Sequence, residues 1–463
     1  MRSNPFTFGN PITDARRFVG RARQVEQVFS RLRNVEFESS SLVGERRVGK
    51  TSLLYHLADA EVQRAHGLDP QRYLFLYVDL ALVDAMTTPA RLWQYLLGQL
   101  KTLVPTIDFA ALRDVAALDN FALAEFFDQL DAQGLYIVLL LDEFENVTRN
   151  ANFGPDFFYG LRSLAIHHHL ALLTSSRREL IELTHSDEIR SSPFFNIFAN
   201  INVRLFTPDE ARALVTNALA GDAIRFDENE IAALLDAAGY NPYFLQAACH
   251  FLYEARAQKL GPDAREKFWR AEFSKQATPH LAEYWRHSDD KEKIALAALA
   301  LLEQPQHPLA REFDARELRA LSAHSERVLA HLDKRGLVSW RGERYAPFNA
   351  LFTEWILHAL EETLDDADKP HTLNQALRDA LAQSAPQVTP DELPGGLSPR
   401  ELEVLQWVAA GLSDAEVAAK LVLSPRTVST HLQSIYNKLG VNSRVAATRF
   451  ALEHRLVKRE SDK

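Results

Sequence analysis

The segment Gly44-Glu-Arg-Arg-Val-Gly49-Lys50-Thr51 fits the phosphate-binding pattern GxxxxGK[ST]. It follows a short run of strand-forming residues and opens an apolar helix pattern, Ser52–Ala58. Glycines allow backbone N–H groups to curl around phosphates, and the N-terminus of the helix adds the positive end of its dipole. The lysine reaches the β- and γ-phosphates, and the threonine hydroxyl binds Mg²⁺. We therefore expect a nucleotide-binding loop that consists of Gly44, Glu45, Arg46, Arg47, Val48, Gly49, Lys50, Thr51 and Ser52.

A second apolar run ends in two acids, Asp142 and Glu143. We expect Asp142 to hold the Mg²⁺ through water and Glu143 to orient or deprotonate the attacking water. A third apolar run, 172–176, leads to Arg177, which is then placed at the carboxyl ends of the strands and able to contact the γ-phosphate. The alternatives are a buried strand with a solvated acidic end, and an arginine in a surface ion pair.

Strand-like and helical patterns alternate over the first 206 residues, which predicts a parallel sheet covered by helices. After residue 206 the patterns are helical, apart from a predicted hairpin that turns at Arg341-Gly342 and suggests a winged helix. The predicted strands are Ser39–Val43, Tyr73–Asp79, Tyr136–Leu141, Leu170–Thr174 and Asn202–Leu205.

The composition is that of a globular protein with a sizeable core, because 46% of the 463 residues are hydrophobic and 25% are charged. Its longest apolar runs are far shorter than the roughly 18 residues of a membrane-spanning helix. The N-terminus lacks the apolar region of a secretory signal. A single cysteine, Cys249, excludes an internal disulfide and a multi-cysteine metal site. We expect a cytoplasmic protein without a membrane partner.

Two conspicuous features are interpreted as structural. Three consecutive histidines, His167–His169, project in different directions from a helix, so they do not form one metal site. We expect a solvated helix end there. Glu145, just past the two acids, is interpreted as a surface or helix-start residue.

Three short helix patterns with start and stop signals follow Leu397. The third begins near Ser424, and the segment from there to Arg449 contains four Lys/Arg and no Asp/Glu. This pattern is typical of a helix-turn-helix with a free recognition helix. The alternative is a three-helix bundle used only for protein contacts. The apolar face of the third helix is predicted to be Val428, Leu432, Ile435 and Leu439, and the opposite face Arg426, Thr430, Gln433 and Asn437.

The N-terminal motifs resemble those of STAND-type P-loop ATPases, which are close to AAA+ proteins and to the archaeal-ATPase family. Besides the loop and the Asp142-Glu143 strand, the resemblance rests on Phe18-Val-Gly-Arg21 and on Gly239-Tyr-Asn-Pro242-Tyr. It implies that Val19, Gly20, Arg21 and Pro242 lie near the adenine and that Arg177 contacts the γ-phosphate. DNA-loading AAA+ relatives have an arginine near the position of Gly239, and its absence favours a switch over a processive motor.

Residues 397–457 resemble the LuxR/NarL-type helix-turn-helix almost throughout, for example in Leu-Ser-Pro-Arg-Glu-Leu, Leu-Ser-Pro-Arg-Thr-Val and Ile-Tyr-Asn-Lys-Leu-Gly-Val. The resemblance implies that the third helix reads the major groove of double-stranded DNA. Residues expected to face bases are Ser429, Thr430 and Gln433, and residues expected nearer the phosphates are Thr427, His431 and Lys438. Many members of the family carry lysine at the position of Ser429.

Taken together, the patterns predict a multidomain chain. We assign the P-loop ATPase core to 1–206, a helical lid to 207–289, a winged-helix-like domain to 290–360, a linker to 361–396 and the helix-turn-helix to 397–463. This arrangement resembles the ATP-dependent LuxR regulators without their long helical-repeat sensor.

The expected function is a regulator that binds ATP or ADP with Mg²⁺, hydrolyses ATP slowly, and binds promoter DNA after self-association in the ATP state. A protein inducer or RNA polymerase is an expected partner. One alternative is an AAA+-type ATPase that remodels DNA or a nucleoprotein complex, with the C-terminal module as its address. Another is a scaffold that binds nucleotide without hydrolysing it, against which the Asp142-Glu143 pair argues.

Overall fold

The computed structural model describes residues 4–105, 107, 119–183, 193–342, 344–365, 377–380, 397, 399–421, 423–439, 441 and 443–453. The chain forms two compact units, Met1–Ala380 and Leu381–Lys463. The predicted linker, 361–396, lies for the most part outside the described residues. Among the described residues, no helix combines the length and the apolar character that crossing a membrane requires.

A parallel five-stranded sheet lies at the centre of the first unit, as predicted. Its order is β2-β3-β4-β1-β5, so β1 lies between β4 and β5 although it comes first in the chain. The strands are β1 (Ser40–Val43), β2 (Tyr73–Asp79), β3 (Tyr136–Asp142), β4 (Leu170–Ser176) and β5 (Ala199–Asn202).

The fifth strand differs from its prediction, Asn202–Leu205, which is wrong. It pairs with β1 from Ala199 to Asn202 and ends where the prediction begins. Val203, an apolar residue of the predicted strand, is buried where the chain leaves the sheet. At the edge of the sheet the strand itself buries only Ile201, so its polar residues gave no strand pattern.

Helices cover both faces of the sheet because its strands are apolar on both sides. In β3, Ile137, Leu139 and Leu141 pack in one core, whereas Val138 and Leu140 pack in the other. The helices of this part are α1 (Ala22–Leu32), α2 (Lys50–Ala58), α3 (Ala60–Ala65), α4 (Pro89–Leu103), α5 (Asn120–Ala132), α6 (Glu145–Thr148) and α7 (Pro155–His167).

Among its described residues after β5, the first unit is helical apart from one hairpin. Thr207 and Glu210 form a capping box at the start of the first of these helices, as their spacing predicts. The helices are α8 (Pro208–Ala218), α9 (Glu228–Ala238), α10 (Pro242–Ala257), α11 (Pro262–Arg286), α12 (Asp290–Glu303), α13 (Ala315–His324), α14 (Glu326–Arg335) and α15 (Ala350–Asp365). The predicted hairpin is confirmed, with β6 (Val338–Arg341) antiparallel to β7 (Arg344–Pro347).

The second unit is an all-helical bundle with its own core. Its helices are α16 (Pro399–Ala409), α17 (Asp414–Leu421), α18 (Pro425–Leu439) and α19 (Arg444–Glu453). The predicted apolar face of the third helix is confirmed, since Val428, Leu432 and Ile435 are buried and Leu439 packs against the same core. The predicted helix stop at Gly440 lies outside the described residues.

Candidate nucleotide site and helix-turn-helix surface

The predicted phosphate-binding loop joins the end of β1 to the start of α2. Gly44 has no space for a side chain, because a Cβ there would collide with the carbonyl oxygen of Val203. Gly49 has φ = 96°, a conformation that glycine adopts without strain. The Lys50 ammonium group donates hydrogen bonds to the carbonyl oxygens of Gly44 (2.7 Å) and Glu45 (3.1 Å). The lysine therefore lies across the mouth of its own loop.

The Asp142 carboxylate lies at the carboxyl end of β3, beside the phosphate-binding loop. It accepts hydrogen bonds from the Thr51 hydroxyl (2.7 Å), the Tyr77 hydroxyl (3.1 Å) and the Ser175 hydroxyl. The backbone N–H of Glu143 also donates to it, at 3.2 Å. A carboxylate next to a threonine hydroxyl offers the hard oxygen ligands that Mg²⁺ prefers, so the residues fit a magnesium ion.

Glu143 follows Asp142 with a left-handed backbone, φ = 52°. Its side chain is 37% exposed and lies 3.9 Å from the Arg46 guanidinium. Arg46 in turn forms an ion pair of 2.8 Å with Glu283 on α11. The second acid of the strand is therefore near the phosphate-binding loop but is partly open to solvent.

Glu145 is buried, and its interpretation as a surface residue is wrong. It does begin helix α6, but only 6% of its side chain is exposed, and the side chain lines the nucleotide cavity. Its Oε1 lies 3.7 Å from Arg177 Nε. Its Oε2 has no hydrogen-bond partner among the residues that the structure describes. Burial raises the pKa of this carboxyl group.

Arg177 follows directly after β4, and its side chain is 22% exposed. It lies between Glu145 and Glu283, whose Oε1 is 3.9 Å from Arg177 Nη1. Neither distance is short enough for a hydrogen bond. Two carboxylates thus flank the guanidinium in the cavity, but neither forms a hydrogen bond with it.

A cavity of about 370 Å³ brings the predicted residues together. Those that line it are Val19, Arg21, Arg46, Arg47, Val48, Gly49, Lys50, Thr51, Ser52, Asp142, Glu143, Arg177 and Pro242. Gly20, Gly44 and Glu45 are not in its wall. At Gly20, a Cβ would lie 2.9 Å from Glu210 Oε1, so this glycine allows close packing against α8.

Two further parts of the wall were missed by the sequence interpretation. An N-terminal segment, 7–12, crosses the cavity, and Ile12 N–H donates to the Ser52 hydroxyl at 3.0 Å. Gln246 lies one helical turn after Pro242, and its Oε1 has no hydrogen-bond partner within the described part of the chain. Neither part carries a motif. Only Gln246 could have been predicted, because its spacing of four residues from Pro242 places both on one face of a helix.

Glu45 points away from the cavity, towards a buried arginine of helix α14. Arg335 bonds Glu45 through Nε (2.9 Å) and Nη2 (2.8 Å), and it bonds Glu292 through Nη1 (2.7 Å). Only 4% of the Arg335 side chain is exposed. Although burial alone would raise it, Arg335 and the Arg46 N–H hold the pKa of the Glu45 carboxyl below its ordinary value. The phosphate-binding loop is therefore tied to the helical region after the sheet.

His167 is the last residue of α7, and His168 and His169 join that helix to β4. Only 7% of the His168 side chain is exposed, because its ring packs beside Asp131 at 2.9 Å. The interpretation of this segment as a solvated helix end is therefore wrong for His168.

The outer face of α18 carries the predicted DNA-contacting residues. Arg426, Ser429, Thr430 and Gln433 are exposed, and Thr427 and His431 are half-buried. The Ser429 hydroxyl donates to Asp414 at 3.1 Å. Lys438 is different, since its ammonium group is paired with the buried Glu401 at 2.7 Å.

Comparisons with known proteins agree with this division of the chain. The family model described as "Novel STAND NTPase 2" matches residues 32–301, and the one described as "Bacterial regulatory proteins, luxR family" matches 396–451. A Walker-type ATPase of Pyrococcus abyssi is 16% identical, with a TM-score of 0.51 over 75% of this chain and 99% of that one. This likeness supports the fold of the first unit.

Curated relatives match this chain over the helix-turn-helix. The "Probable transcriptional regulatory protein NarL" of Mycobacterium tuberculosis is 49% identical over 61 residues, which are 13% of this chain and 28% of that protein. "Response regulator Rre1" of Synechocystis is 39% identical over 83 residues, 18% of this chain and 36% of that protein. The chain thus spans about a third of the length of these relatives or less. Because the STAND model covers more than half of the chain, the chain belongs to the Novel STAND NTPase 2 family, and it carries a luxR-family helix-turn-helix at 396–451.

Proposed function

We propose that the protein is an ATP-controlled transcriptional regulator of the cytoplasm. ADP favours a closed arrangement of the P-loop core, the lid and the winged-helix-like segment, and ATP favours an open form that self-associates. Self-association presents two or more DNA-reading helices at once, which raises their effective concentration at a promoter and tightens binding without a new DNA contact. Slow hydrolysis returns the protein to the closed form.

The observation that carries this proposal is the buried bridge from Arg335 to Glu45 and Glu292. Glu45 lies inside the phosphate-binding loop, and Arg335 and Glu292 lie on helices of the 290–360 segment. A change in the loop on nucleotide exchange therefore acts on a charge pair that solvent does not screen. Separating such a buried pair costs several kcal/mol, on the order of 3–5, because it leaves an uncompensated charge. The pair is therefore suited to couple the loop to the arrangement of these helices.

The nucleotide-binding roles follow from the same geometry. Lys50 and Arg177 are proposed to bind the terminal phosphates, and Thr51 and Asp142 are proposed to hold Mg²⁺. The metal ion would supply charge neutralisation for the phosphates. Glu143 lines the same cavity with a side chain that is 37% exposed, and it is proposed to accept a proton from the attacking water. The adenine ring of the nucleotide is proposed to lie between Val19 and Pro242.

The DNA-reading role rests on α18 and on the luxR-family match. The exposed side chains Ser429, Thr430 and Gln433 are short polar groups of the kind that hydrogen-bond base edges in the major groove. The names of the curated relatives, a transcriptional regulatory protein and a response regulator, support a promoter as the target. RNA polymerase or an inducing protein is a proposed further partner.

Light scattering after size-exclusion chromatography tests the switch. Wild type is run with ADP, and Glu143→Gln is run with ATP, because this variant keeps ATP bound. We expect a monomer in ADP and a dimer or larger species in ATP. Lys50→Ala, which removes the phosphate-binding ammonium group, serves as the control and should remain monomeric with ATP. Equal masses in ADP and ATP would refute the proposed switch.

A further inference from the structure

The Glu145 carboxylate is the feature of the nucleotide cavity that the proposed roles do not use. Only 6% of its side chain is exposed to solvent. One oxygen faces Arg177, and the other has no hydrogen-bond donor among the residues that the structure describes. A buried carboxylate oxygen without a hydrogen-bond donor lowers the stability of the fold. Such a group is therefore a candidate for a functional role.

The other two acids of the cavity differ from Glu145 in how their charge is compensated. Asp142 accepts hydrogen bonds from three hydroxyl groups, and the proposed magnesium ion would compensate its charge. The charge of Glu143 is partly screened by solvent, because its side chain is 37% exposed. Glu145 has neither form of compensation beyond the positive charges of Arg177, at 3.7 Å, and of Lys50, which lines the same cavity.

Those two cations are the ones expected to receive the terminal phosphate. Arg177 lies 3.7 Å from Glu145 Oε1. Burial lowers the pKa of the Lys50 ammonium group, and Glu145 opposes that shift more than any other carboxylate does. Glu145 therefore serves Lys50 and Arg177 as a counter-ion in the nucleotide-free site, at the end of the cavity where a γ-phosphate would lie.

We propose that Glu145 determines the preference of this site for ADP over ATP by acting as the built-in counter-ion of Lys50 and Arg177. The proposal rests on nucleotide binding at this cavity, which is part of the proposed function. ADP leaves the counter-ion in place, whereas ATP brings the additional charge of its terminal phosphate to the same two cations. Two like charges a few ångströms apart in a poorly solvated site repel each other, so ATP binds at a disadvantage. The chain would thus be held in its ADP state until a signal offsets that disadvantage.

Isothermal titration of Glu145→Gln with ADP and with a non-hydrolysable ATP analogue, both with Mg²⁺, tests this inference. The substitution keeps the shape of the side chain and removes its charge. We expect the ratio of ATP-analogue affinity to ADP affinity to rise at least about tenfold over wild type, and the ADP affinity to stay within about threefold. Retained ADP binding also shows that the variant is folded.

The matched control is Glu179→Gln. This acid lies two residues from Arg177, outside the cavity wall, with a side chain 35% exposed and paired with Lys334. Its removal should leave the affinity ratio within about twofold of wild type. An unchanged or lower ratio in Glu145→Gln would overturn the inference, as would loss of ADP binding, because the inference confines Glu145 to the γ-phosphate end. Failure of the switch itself appears separately, as equal oligomer masses in ADP and ATP.

Discussion

At the scale of single residues, the Asp142 carboxylate connects the parts of the nucleotide site. It accepts hydrogen bonds from Thr51 on α2, Tyr77 on β2 and Ser175 on β4. These elements meet at Asp142 because parallel strands end at the same edge of the sheet, next to the start of α2. The carboxylate is therefore held in position by hydrogen bonds from the chain itself.

We predict that Asp142→Asn weakens Mg²⁺ binding to the ATP-bound protein by about 10–100-fold, the usual effect of losing an oriented group near a metal ion. Titration of Mg²⁺ in the presence of a fluorescent ATP analogue measures this change. Tyr77→Phe removes one hydrogen bond and keeps the carboxylate, so it should change Mg²⁺ affinity only a few-fold. Identical Mg²⁺ affinity in Asp142→Asn and wild type would contradict the metal-binding role.

Sequence reasoning found Lys50, Thr51 and Asp142 because each belongs to a local pattern with a known chemical purpose. It misplaced Glu145 because burial depends on how distant segments pack. Glu143 and Phe144 form a turn after the strand, Glu145 begins a short helix, and this turn directs the Glu145 side chain into the cavity. No spacing within the segment reveals that direction.

At the scale of elements, helices of the lid and of the following segment hold the phosphate-binding loop from outside. Arg335 on α14 bonds Glu45, Glu283 on α11 bonds Arg46, and the Tyr284 hydroxyl donates to the Arg46 carbonyl oxygen at 2.8 Å. The helices themselves were predictable from capping residues and apolar spacing. The Glu45–Arg335 contact was not, because its partners are 290 residues apart and Arg335 stands in no motif.

We predict that Arg335→Ala lowers the free energy of unfolding of the first unit by about 3–5 kcal/mol, because two buried carboxylates lose their cation. Urea denaturation in the absence of nucleotide measures the loss. Arg344→Ala is the control, since Arg344 is 42% exposed in its ion pair with Glu303. That variant should cost no more than about 1 kcal/mol. Similar losses in both variants would mean that the Arg335 bridge has no special weight.

In the second unit, one face of α18 carries the residues proposed to read DNA, and the opposite face holds the bundle together. Gln433 is exposed and has no role in the core, so Gln433→Ala should weaken binding to a target promoter by about 1–3 kcal/mol without changing stability. Electrophoretic mobility shifts on that promoter and on unrelated DNA measure the effect. A loss that is equal on both DNAs would argue against base reading.

Lys438 is expected near the DNA phosphates, and its ammonium group also pairs with the buried Glu401, while 39% of the lysine side chain is exposed. We predict that Lys438→Ala lowers the stability of the second unit by about 1–2 kcal/mol, since a charged hydrogen bond is lost while the Ser434 hydroxyl still donates to Glu401. Thermal denaturation followed by circular dichroism measures this change. An unaltered transition would contradict the stabilising role of the ion pair, and weaker DNA binding by the same variant would support the expected phosphate contact.

At the scale of the whole molecule, the chain combines two units that each have their own core. The sequence indicated the order of these parts because each carries long, specific motifs. Self-association of the chain cannot be predicted from local sequence patterns, because it depends on the complementarity of folded surfaces. In the proposed account, nucleotide state reaches the DNA through the number of DNA-reading helices brought together, which requires no direct contact between the ATPase and the reader.

Chromatin immunoprecipitation of tagged wild type, Lys50→Ala and Glu143→Gln tests most directly whether ATP licenses DNA reading. Gln433→Ala, with an intact nucleotide site, provides the control for DNA-independent background. The account predicts discrete promoter peaks in wild type, stronger peaks in Glu143→Gln, where ATP persists, and no peaks in Lys50→Ala. Equal peaks in all three nucleotide-site forms would contradict it, because the reader would then work without the ATPase.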